Sequence, residues 1–237
     1  MKKYDMKLDA FAGLYRITAL RSFADVKAGD DGGLIEYEAN LSHEGNCWVY
    51  YNARVRGNAK VFDNARVRGN AKVSDNAQLY GNARVSADAQ VSGDAWVSDY
   101  AQVSGNAKVS GNCWVSDDAQ VSDNAKVYGS ARVYGEAQVS GNAQISDNAR
   151  VSGDAQVYGD TRVFGNSLVF DNAKVSHNAQ LSDNVWVYGN SWVSGDAKVS
   201  DNAQVHDNAR VSGNARVSGY ARVSGDSIIA GDSWVVW

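Results

Sequence analysis

An aliphatic residue returns at every sixth position over most of the chain, from Val49 to Val235. A small residue, usually alanine, stands two positions before each of them, and polar residues commonly fill the other strand positions, as in the Ala-Lys-Val-Ser sequence of residues 71–74. Alternation of inward and outward side chains is the periodicity of a β-strand. No insertion or deletion breaks this register. The pattern therefore predicts a long series of short strands of equal length.

Each predicted strand is followed by two residues that favour a sharp corner, most often Gly-Asn or Asp-Asn. Asn and Asp tolerate the left-handed backbone conformation that such corners need, and Gly adopts it freely. Four strand residues and two corner residues, repeated, predict a solenoid whose stability is nearly a sum over neighbouring coils. Stacked corner Asn side chains are expected to form ladders. Asp-rich corners are also compatible with calcium, but the glycine-rich nonapeptide of calcium-binding β-rolls is missing, so we expect no metal.

The repeat itself resembles a known superfamily. An aliphatic residue followed four positions later by a small one, as in Val73 and Ala77, is similar to the motif of the hexapeptide-repeat, left-handed parallel β-helix proteins. The resemblance covers residues 45–237 and implies an all-β, single-stranded, left-handed parallel β-helix with three flat sides per 18-residue triangular coil. About ten coils, each adding one strand spacing of about 4.8 Å, make a prism on the order of 50 Å long. Handedness and the three-sided section follow from the resemblance, not from the period.

The first 44 residues lie outside the repeat, and we assign residues 1–44 to a small N-terminal β cap and residues 45–237 to the β-helix. Residues 4–23 suggest a strand pair with Gly13 near its middle, and residues 28–33 suggest a tight turn. Residues 19–50 also resemble the N-terminal segment of YdcK-like proteins, for which a transferase activity has been suggested. The shared residues are Asp25-Val26-Lys27-Ala28-Gly29, Gly32-Gly33, Asn40-Leu41-Ser42 and Gly45-Asn46-Cys47-Trp48.

The C-terminal sequence SWVVW shows no comparable cap. A solenoid needs its terminal apolar coils covered. We therefore expect the last coil to be covered by another subunit, in an end-to-end contact, or by Trp237 folding back.

Composition narrows the function classes. The formal charge is −4 and proline is absent, so neither a broad nucleic-acid surface nor a proline-rich linker is indicated. No apolar run approaches 18 residues and no signal peptide is recognisable, so we expect a cytoplasmic protein with no membrane segment. Cys47 and Cys113 occupy the small inward position, which predicts buried thiols too far apart for a disulfide. We find no phosphate loop and no dinucleotide fingerprint, and expect no cofactor.

Catalysis is expected to be absent. The resemblance implies that acyltransferases of this superfamily place a catalytic His and a loop excursion at a cleft between subunits, but the unbroken register leaves no such loop. The three histidines are His43 in the cap, His177 at a corner and His206 on a flat side. We expect each of them to be a solvated surface side chain. An acyltransferase-like enzyme is kept as an alternative.

Sorting the outward positions by side reveals an aromatic face. We name each side after its first aliphatic residue: Val49, Val55 or Val61. The Val61 side, which continues with Leu79 and Val97, is richer in aromatic residues than the Val49 side, on which Trp48 is expected to face outward. The Val55 side carries more cations. Exposed apolar patches usually mark interaction sites, although aromatic residues also suit exposed strands. We predict self-association through the Val61 side, most simply as a homotrimer. The candidate interface or binding residues are Phe62, Tyr80, Trp96, Trp114, Arg132, Tyr134, Arg150, Phe170, Trp186, Tyr188 and His206.

Charges are also sorted, because no Asp or Glu occupies an outward strand position between Trp48 and Trp234. Avoidance of stacked acids beside acidic corners explains this. An alternative hypothesis is a sponge that holds a small anionic ligand, such as a nucleotide signal, between subunits among Arg, Lys and aromatic rings. Nucleic acid is not expected, because the cations alternate with acidic corners. The favoured function is thus a rigid, non-catalytic binding or scaffold module.

Overall fold

The computed structural model describes residues 2–237, and its first three strands precede the repeat. β1 (Tyr4–Asp9) and β2 (Leu14–Ala19) form the antiparallel pair expected around Gly13. The chain then turns at residues 28–30, and β3 (Asp31–Ile35) pairs antiparallel with β2 on one edge and parallel with the first Val55-side strand on the other. The predicted turn is therefore shorter than residues 28–33, because its last three residues belong to β3. A short 3₁₀ turn (Glu38–Asn40) leads into the solenoid.

Three parallel sheets make up the solenoid, one for each predicted side. The Val49 side has the strands Trp48–Val49, Arg66–Val67, Arg84–Val85, Gln102–Val103, Gln120–Val121, Gln138–Val139, Gln156–Val157, Lys174–Val175, Trp192–Val193, Arg210–Val211 and Ile228–Ile229. The Val55 side has Arg54–Val55, Lys72–Val73, Gln90–Val91, Lys108–Val109, Lys126–Val127, Gln144–Ile145, Arg162–Val163, Gln180–Leu181, Lys198–Val199, Arg216–Ser218 and Trp234–Val236. The Val61 side has Lys60–Val61, Gln78–Leu79, Trp96–Val97, Trp114–Val115, Arg132–Val133, Arg150–Val151, Leu168–Val169, Trp186–Val187, Gln204–Val205 and Arg222–Val223.

The register confirms the three-sided, all-β prediction. Every solenoid strand except the last one of each side pairs in parallel with the strand 18 residues further on, as Val97 does with Val115. The sheets hold 10, 11 and 14 strands, the last including β1–β3, so the chain makes slightly more turns than the ten expected. Left-handedness stays a prediction from the resemblance. Among residues 2–237 the structure has no apolar helix of membrane-spanning length.

The core is a column of stacked small and aliphatic side chains. From Ala53 to Val223 both inward positions of every strand are buried. Burying a single valine is worth about 1.5–3 kcal/mol, so each added coil brings its own stabilisation. Thr161, Ser167 and Ser191 occupy small inward positions and are fully buried.

The corners use their polar side chains to join one coil to the next. Asp123 has a φ of 58°, in the left-handed region, and its carboxylate accepts the N–H of Gly141 in the following coil at 3.0 Å. Beside it, Asn106 donates to Asn124 at 3.1 Å, and Asn124 donates to Asn142 at 3.2 Å. The expected Asn ladders are therefore present. Corner acids of this kind are hydrogen-bonded within the fold rather than free on the surface.

The N-terminal segment covers one side of the first coil. Trp48 is only 1% exposed, contrary to its assignment as an outward aromatic residue. Its ring makes edge contacts with Tyr4 and Phe23, at centroid separations of 6.1 and 5.4 Å. Tyr4 in turn donates its hydroxyl proton to the Leu41 carbonyl at 2.7 Å. The misassignment has a simple cause, because residues that lie outside the repeat pack over this outward position.

At the other end, the expectation that Trp237 folds back is wrong. Its carbonyl accepts the N–H of Tyr220 at 2.8 Å, which continues the parallel ladder. The Trp237 side chain is 82% exposed. Ile229 and Val235 of the last coil are only partly buried.

Candidate functional site

The outward residues of the Val61 side form two parallel columns. The first column contains the residue before each aliphatic residue, such as Trp96 and Trp114, and the second contains the residue after it, such as Phe62 and Tyr80. Stacked strands lie about 4.8 Å apart, which is close to the contact distance of aromatic rings. Neighbouring rings of one column can therefore stack along the prism.

The N-terminal half of the side holds a continuous aromatic run. Phe62 and Tyr80 stack at 5.2 Å with an interplanar angle of 9°. Tyr80 meets Trp96 edge-on at 6.2 Å, and Trp96 and Trp114 stack at 5.2 Å with an angle of only 1°. The Arg132 guanidinium lies over the Trp114 ring at 5.3 Å and closes the run. We call these five residues the tryptophan run.

A second stack lies further along the same side. Phe170 and Tyr188 stack at 4.9 Å, and Tyr188 and His206 stack at 4.9 Å. His206 Nδ1 also lies 3.2 Å from the Asp207 carboxylate. The structure thus brings eight of the eleven predicted residues together in two groups. In the described part of the chain, the predicted residues Tyr134, Arg150 and Trp186 belong to neither group.

Among the outward aromatic residues of this side, two indoles are exposed. Trp114 is 46% exposed and Trp186 is 43% exposed. Arg132 and Arg150 lie on adjacent strands of the first column, and in the described part of the chain neither forms an ion pair. A flat, rigid, partly aromatic surface with two unpaired guanidinium groups is therefore available for contacts.

Two of the three histidines, His43 and His206, are more enclosed than expected, whereas His177 is exposed. His43 Nδ1 accepts the backbone N–H of Lys3 at 3.1 Å, and its Nε2 lies 2.9 Å from the Glu38 carboxylate. His177 Nδ1 lies 3.0 Å from the Ser176 hydroxyl, which is itself buried. The His206 side chain is 19% exposed. The expectation of a solvated surface side chain is therefore wrong for the partly buried His43 and His206, and it agrees with the exposed His177.

Both cysteines are free and buried, as predicted. Burial raises the pKa of Cys113 to about 11. Cys47 has a neighbour that sequence reasoning missed, because the buried Lys3 ammonium donates to its Sγ at 3.1 Å and to its carbonyl at 2.9 Å. Burial lowers the pKa of Lys3 and raises that of Cys47. A lysine near the start of a chain is usually exposed, so nothing in the sequence marked it.

A second unexpected cluster joins the N-terminal segment to the Val49 side. Asp25 accepts the Tyr50 hydroxyl at 2.8 Å and pairs with Arg68 at 2.9 Å and Arg66 at 3.5 Å. Partial burial raises the pKa of Asp25, but the Tyr50 hydrogen bond and the two guanidinium charges outweigh it and hold this pKa below its ordinary value. Among residues 2–237 no group of three or more His, Cys, Asp or Glu side chains is arranged to hold a metal ion.

Comparison with known proteins agrees with this architecture. The model of the YdcK β-solenoid repeat matches residues 77–93, 101–117, 119–135, 143–157, 179–195 and 209–225. The chain is a β-helix with YdcK-like repeats. No curated protein matches it.

The YdcK-like repeats include part of the aromatic face. Tyr80, Trp114, Arg132 and Trp186 all lie within matched segments. The face is therefore made by ordinary repeat units with changed outward side chains, and not by an inserted element. All matched segments lie in the solenoid, whereas the resemblance noted over residues 19–50 lies outside them.

Proposed function

We propose that this β-helix is a non-catalytic, rigid module that self-associates through the Val61 side and acts as a binding or scaffold protein. The observation that carries the proposal is the alignment of aromatic side chains on one flat sheet, with Trp114 and Trp186 each more than two-fifths exposed. Exposed apolar surface of this kind marks interaction sites. Indole and phenol rings are also enriched where proteins meet, because each has a large apolar body and a polar tip.

Ring stacking prepares this face for association. Trp96 and Trp114 hold each other nearly parallel, and Arg132 holds the outer face of Trp114. Ordering a long, mobile side chain when a partner binds costs about 0.5–1.5 kcal/mol. Side chains that are already ordered lose less conformational entropy on binding. The proposed contact surface is thus preorganised by the fold itself.

Charge placement supports contact between copies. Within the repeat, Asp and Glu occur only at the corners, so contact between the Val61 sides of two copies would bury no acid from an outward strand position. A buried unpaired carboxylate would oppose association strongly. A homotrimer is the arrangement that the superfamily resemblance implies, and an end-to-end contact through the last coil is the alternative.

Native mass spectrometry and light scattering test the proposal. We expect the parent chain to be a multimer and the Trp96→Ala/Trp114→Ala double variant to be a monomer. Trp192→Ala, on the Val49 side, is the matched control and should keep the parent mass. Loss of assembly in Trp234→Ala instead would assign association to the C-terminal end. A parent chain that is monomeric would refute association through this side. A double variant that forms the same oligomer as the parent would refute it as well.

A small anionic ligand between subunits is a second candidate function. The adjacent, unpaired Arg132 and Arg150 favour it, because guanidinium groups bind phosphate and carboxylate groups in bidentate geometry. Native mass spectrometry of protein purified from cells would show an added mass of a few hundred daltons, and its fragmentation would identify the ligand. In this case Arg132→Ala should lose the added mass but keep the oligomer.

The non-catalytic assignment is tested separately. The partial burial of His43 and His206 and the unbroken register of the solenoid support it. Steady turnover of any donor in a panel of acyl-CoA thioesters, abolished in His206→Ala, would overturn it.

A further inference from the structure

We propose that a groove beside Trp186 binds a linear, uncharged glycan. The groove runs along the edge between the Val55 and Val61 sides and has a volume of about 550 Å³, within the range of about 300–1,000 Å³ that is usual for ligand sites. Its floor includes Leu168, Trp186 and Gln204 of the first column. This site lies outside the tryptophan run, but its Trp186 also belongs to the face through which self-association is proposed.

One wall of the groove is an amide ladder. Asn148 donates to Asn166 at 3.2 Å, Asn166 to Asn184 at 2.9 Å, and Asn184 to Asn202 at 3.2 Å. A carboxamide has two N–H donors and an oxygen with two lone pairs. The ladder occupies one donor and one acceptor site of each inner rung. Asn166 and Asn184 therefore each keep one N–H and one lone pair for an outside partner.

The remaining hydrogen-bonding capacity repeats at the coil spacing of about 4.8 Å. A ligand that satisfies it must offer groups that both donate and accept at regular intervals along its length. Sugar hydroxyls do both, and a linear glycan presents them on every ring. The repeating wall thus favours a polymer of similar units over a single compact ligand.

The floor supplies a surface for the apolar faces of sugar rings. Trp186 is 43% exposed and lies between Leu168 and Gln204 on neighbouring strands. The face of an indole carries partial negative charge and attracts the slightly positive C–H groups of a pyranose ring. Tyr220, 74% exposed, adds a second aromatic side chain to the groove lining.

Charge excludes the main competing ligands. Arg150 is the one charged side chain that lines the groove in the described chain. A nucleic acid or other polyanion gains most of its affinity from many cations, which this groove does not supply. An uncharged chain matches the amide and aromatic side chains that make up most of the lining.

Isothermal titration calorimetry of the full chain tests the proposal with purified hexasaccharides of glucose (α-1,4, β-1,4 and β-1,3 linked), N-acetylglucosamine, mannose and xylose. We expect at least one hexasaccharide to bind. Trp186→Ala should weaken this binding about tenfold or more, a factor that corresponds to about 1.4 kcal/mol. Asn184→Asp should also weaken it, because the Asp still accepts from Asn166 but has no N–H to offer a sugar. Asn-to-Asp rungs already occur in this chain, as from Asn142 to Asp160, so this variant should fold.

Trp114→Ala is the matched control, since Trp114 lies on the same side with similar exposure. It should keep glycan binding even where it weakens self-association, and light scattering on the same samples separates the two results. Absence of binding to every hexasaccharide would overturn the proposal, as would binding that survives Trp186→Ala. Binding of ATP or polyuridylate in preference to the sugars would assign the groove to anions instead.

Discussion

The ring contacts of the tryptophan run should contribute a measurable amount to the free energy of unfolding. Trp96 and Trp114 stack at 5.2 Å and 1°, while the other face of Trp114 contacts Arg132. An aromatic pair in good geometry contributes about 0.5–1.5 kcal/mol beyond its buried area. An exposed cation–π contact adds about 0.5–1 kcal/mol. Trp114→Ala removes both contacts, whereas Trp96→Ala removes the stack and the edge contact with Tyr80.

A double-mutant cycle isolates the stack. Each single variant loses the stack, and the double variant loses it only once. The double variant should therefore be less destabilised than the sum of the singles, by about 0.5–1.5 kcal/mol. The control cycle pairs Trp114 with Trp186, which are four coils, or about 19 Å, apart on the same side. In this control cycle, the changes in free energy of unfolding of the two single variants should add up to that of the double variant within about 0.5 kcal/mol.

Urea unfolding followed by far-ultraviolet circular dichroism gives these free energies. The chain concentration is lowered until the midpoint no longer shifts, so that self-association does not enter the cycle. A Trp96/Trp114 coupling no larger than that of the control pair would show that the rings do not stabilise each other. Ring stacking would then not preorganise the proposed contact surface.

Three further predictions concern buried groups and the N-terminal segment. Ser191→Ala should stabilise the fold by about 1 kcal/mol in urea unfolding, because the buried Ser191 hydroxyl has no hydrogen-bond partner among the described residues. Ser167→Ala is the control and should not stabilise the fold, because the Ser167 hydroxyl already donates to a carbonyl at 2.8 Å. Equal effects of the two substitutions would contradict this reasoning. The pKa of Cys113 in the folded state is about 11, against an ordinary 9.0. The contribution of this thiol to the free energy of unfolding is therefore fully present below pH 9 and is lost as the pH rises to 11. The stability of the parent relative to Cys113→Ala should fall by about 2–3 kcal/mol across that interval, and a constant difference would refute it. Asp25→Asn should cost about 1 kcal/mol by weakening partly exposed ion pairs, with faster amide exchange over residues 19–30, and unchanged exchange there would show that the cluster does not anchor the segment.

The solenoid could be predicted from the sequence because its pattern is strictly local and periodic. An aliphatic residue at every sixth position determines which side chains face inward, and Val49 to Val223 are buried accordingly. Once three sides per coil were assumed, the same arithmetic assigned each outward residue to its sheet. The sequence alone thus places the candidate residues Trp96 and Trp114 on neighbouring strands.

Periodicity could not predict how those side chains meet. Side-chain rotamers decide whether neighbouring rings lie parallel, as Trp96 and Trp114 do, or edge-on, as Tyr80 and Trp96 do. The N-terminal segment lies outside the period altogether, so the burial of Trp48 and the Lys3–Cys47 contact depend on tertiary packing. Such contacts join residues 25 to 44 positions apart with no pattern between them.

The corners explain why the flat sides are free to differ. Corner carboxylates such as that of Asp123 accept N–H groups of the next coil, and corner amides hydrogen-bond along their ladders. The inward positions supply the apolar core, so neither the core nor the corner bonds depend on which residue points outward. An outward Gln can therefore be replaced by Trp or Arg while each strand keeps its register. This independence allows one sheet to carry both the tryptophan run and, four coils away, the groove beside Trp186, each open to mutation without loss of the other.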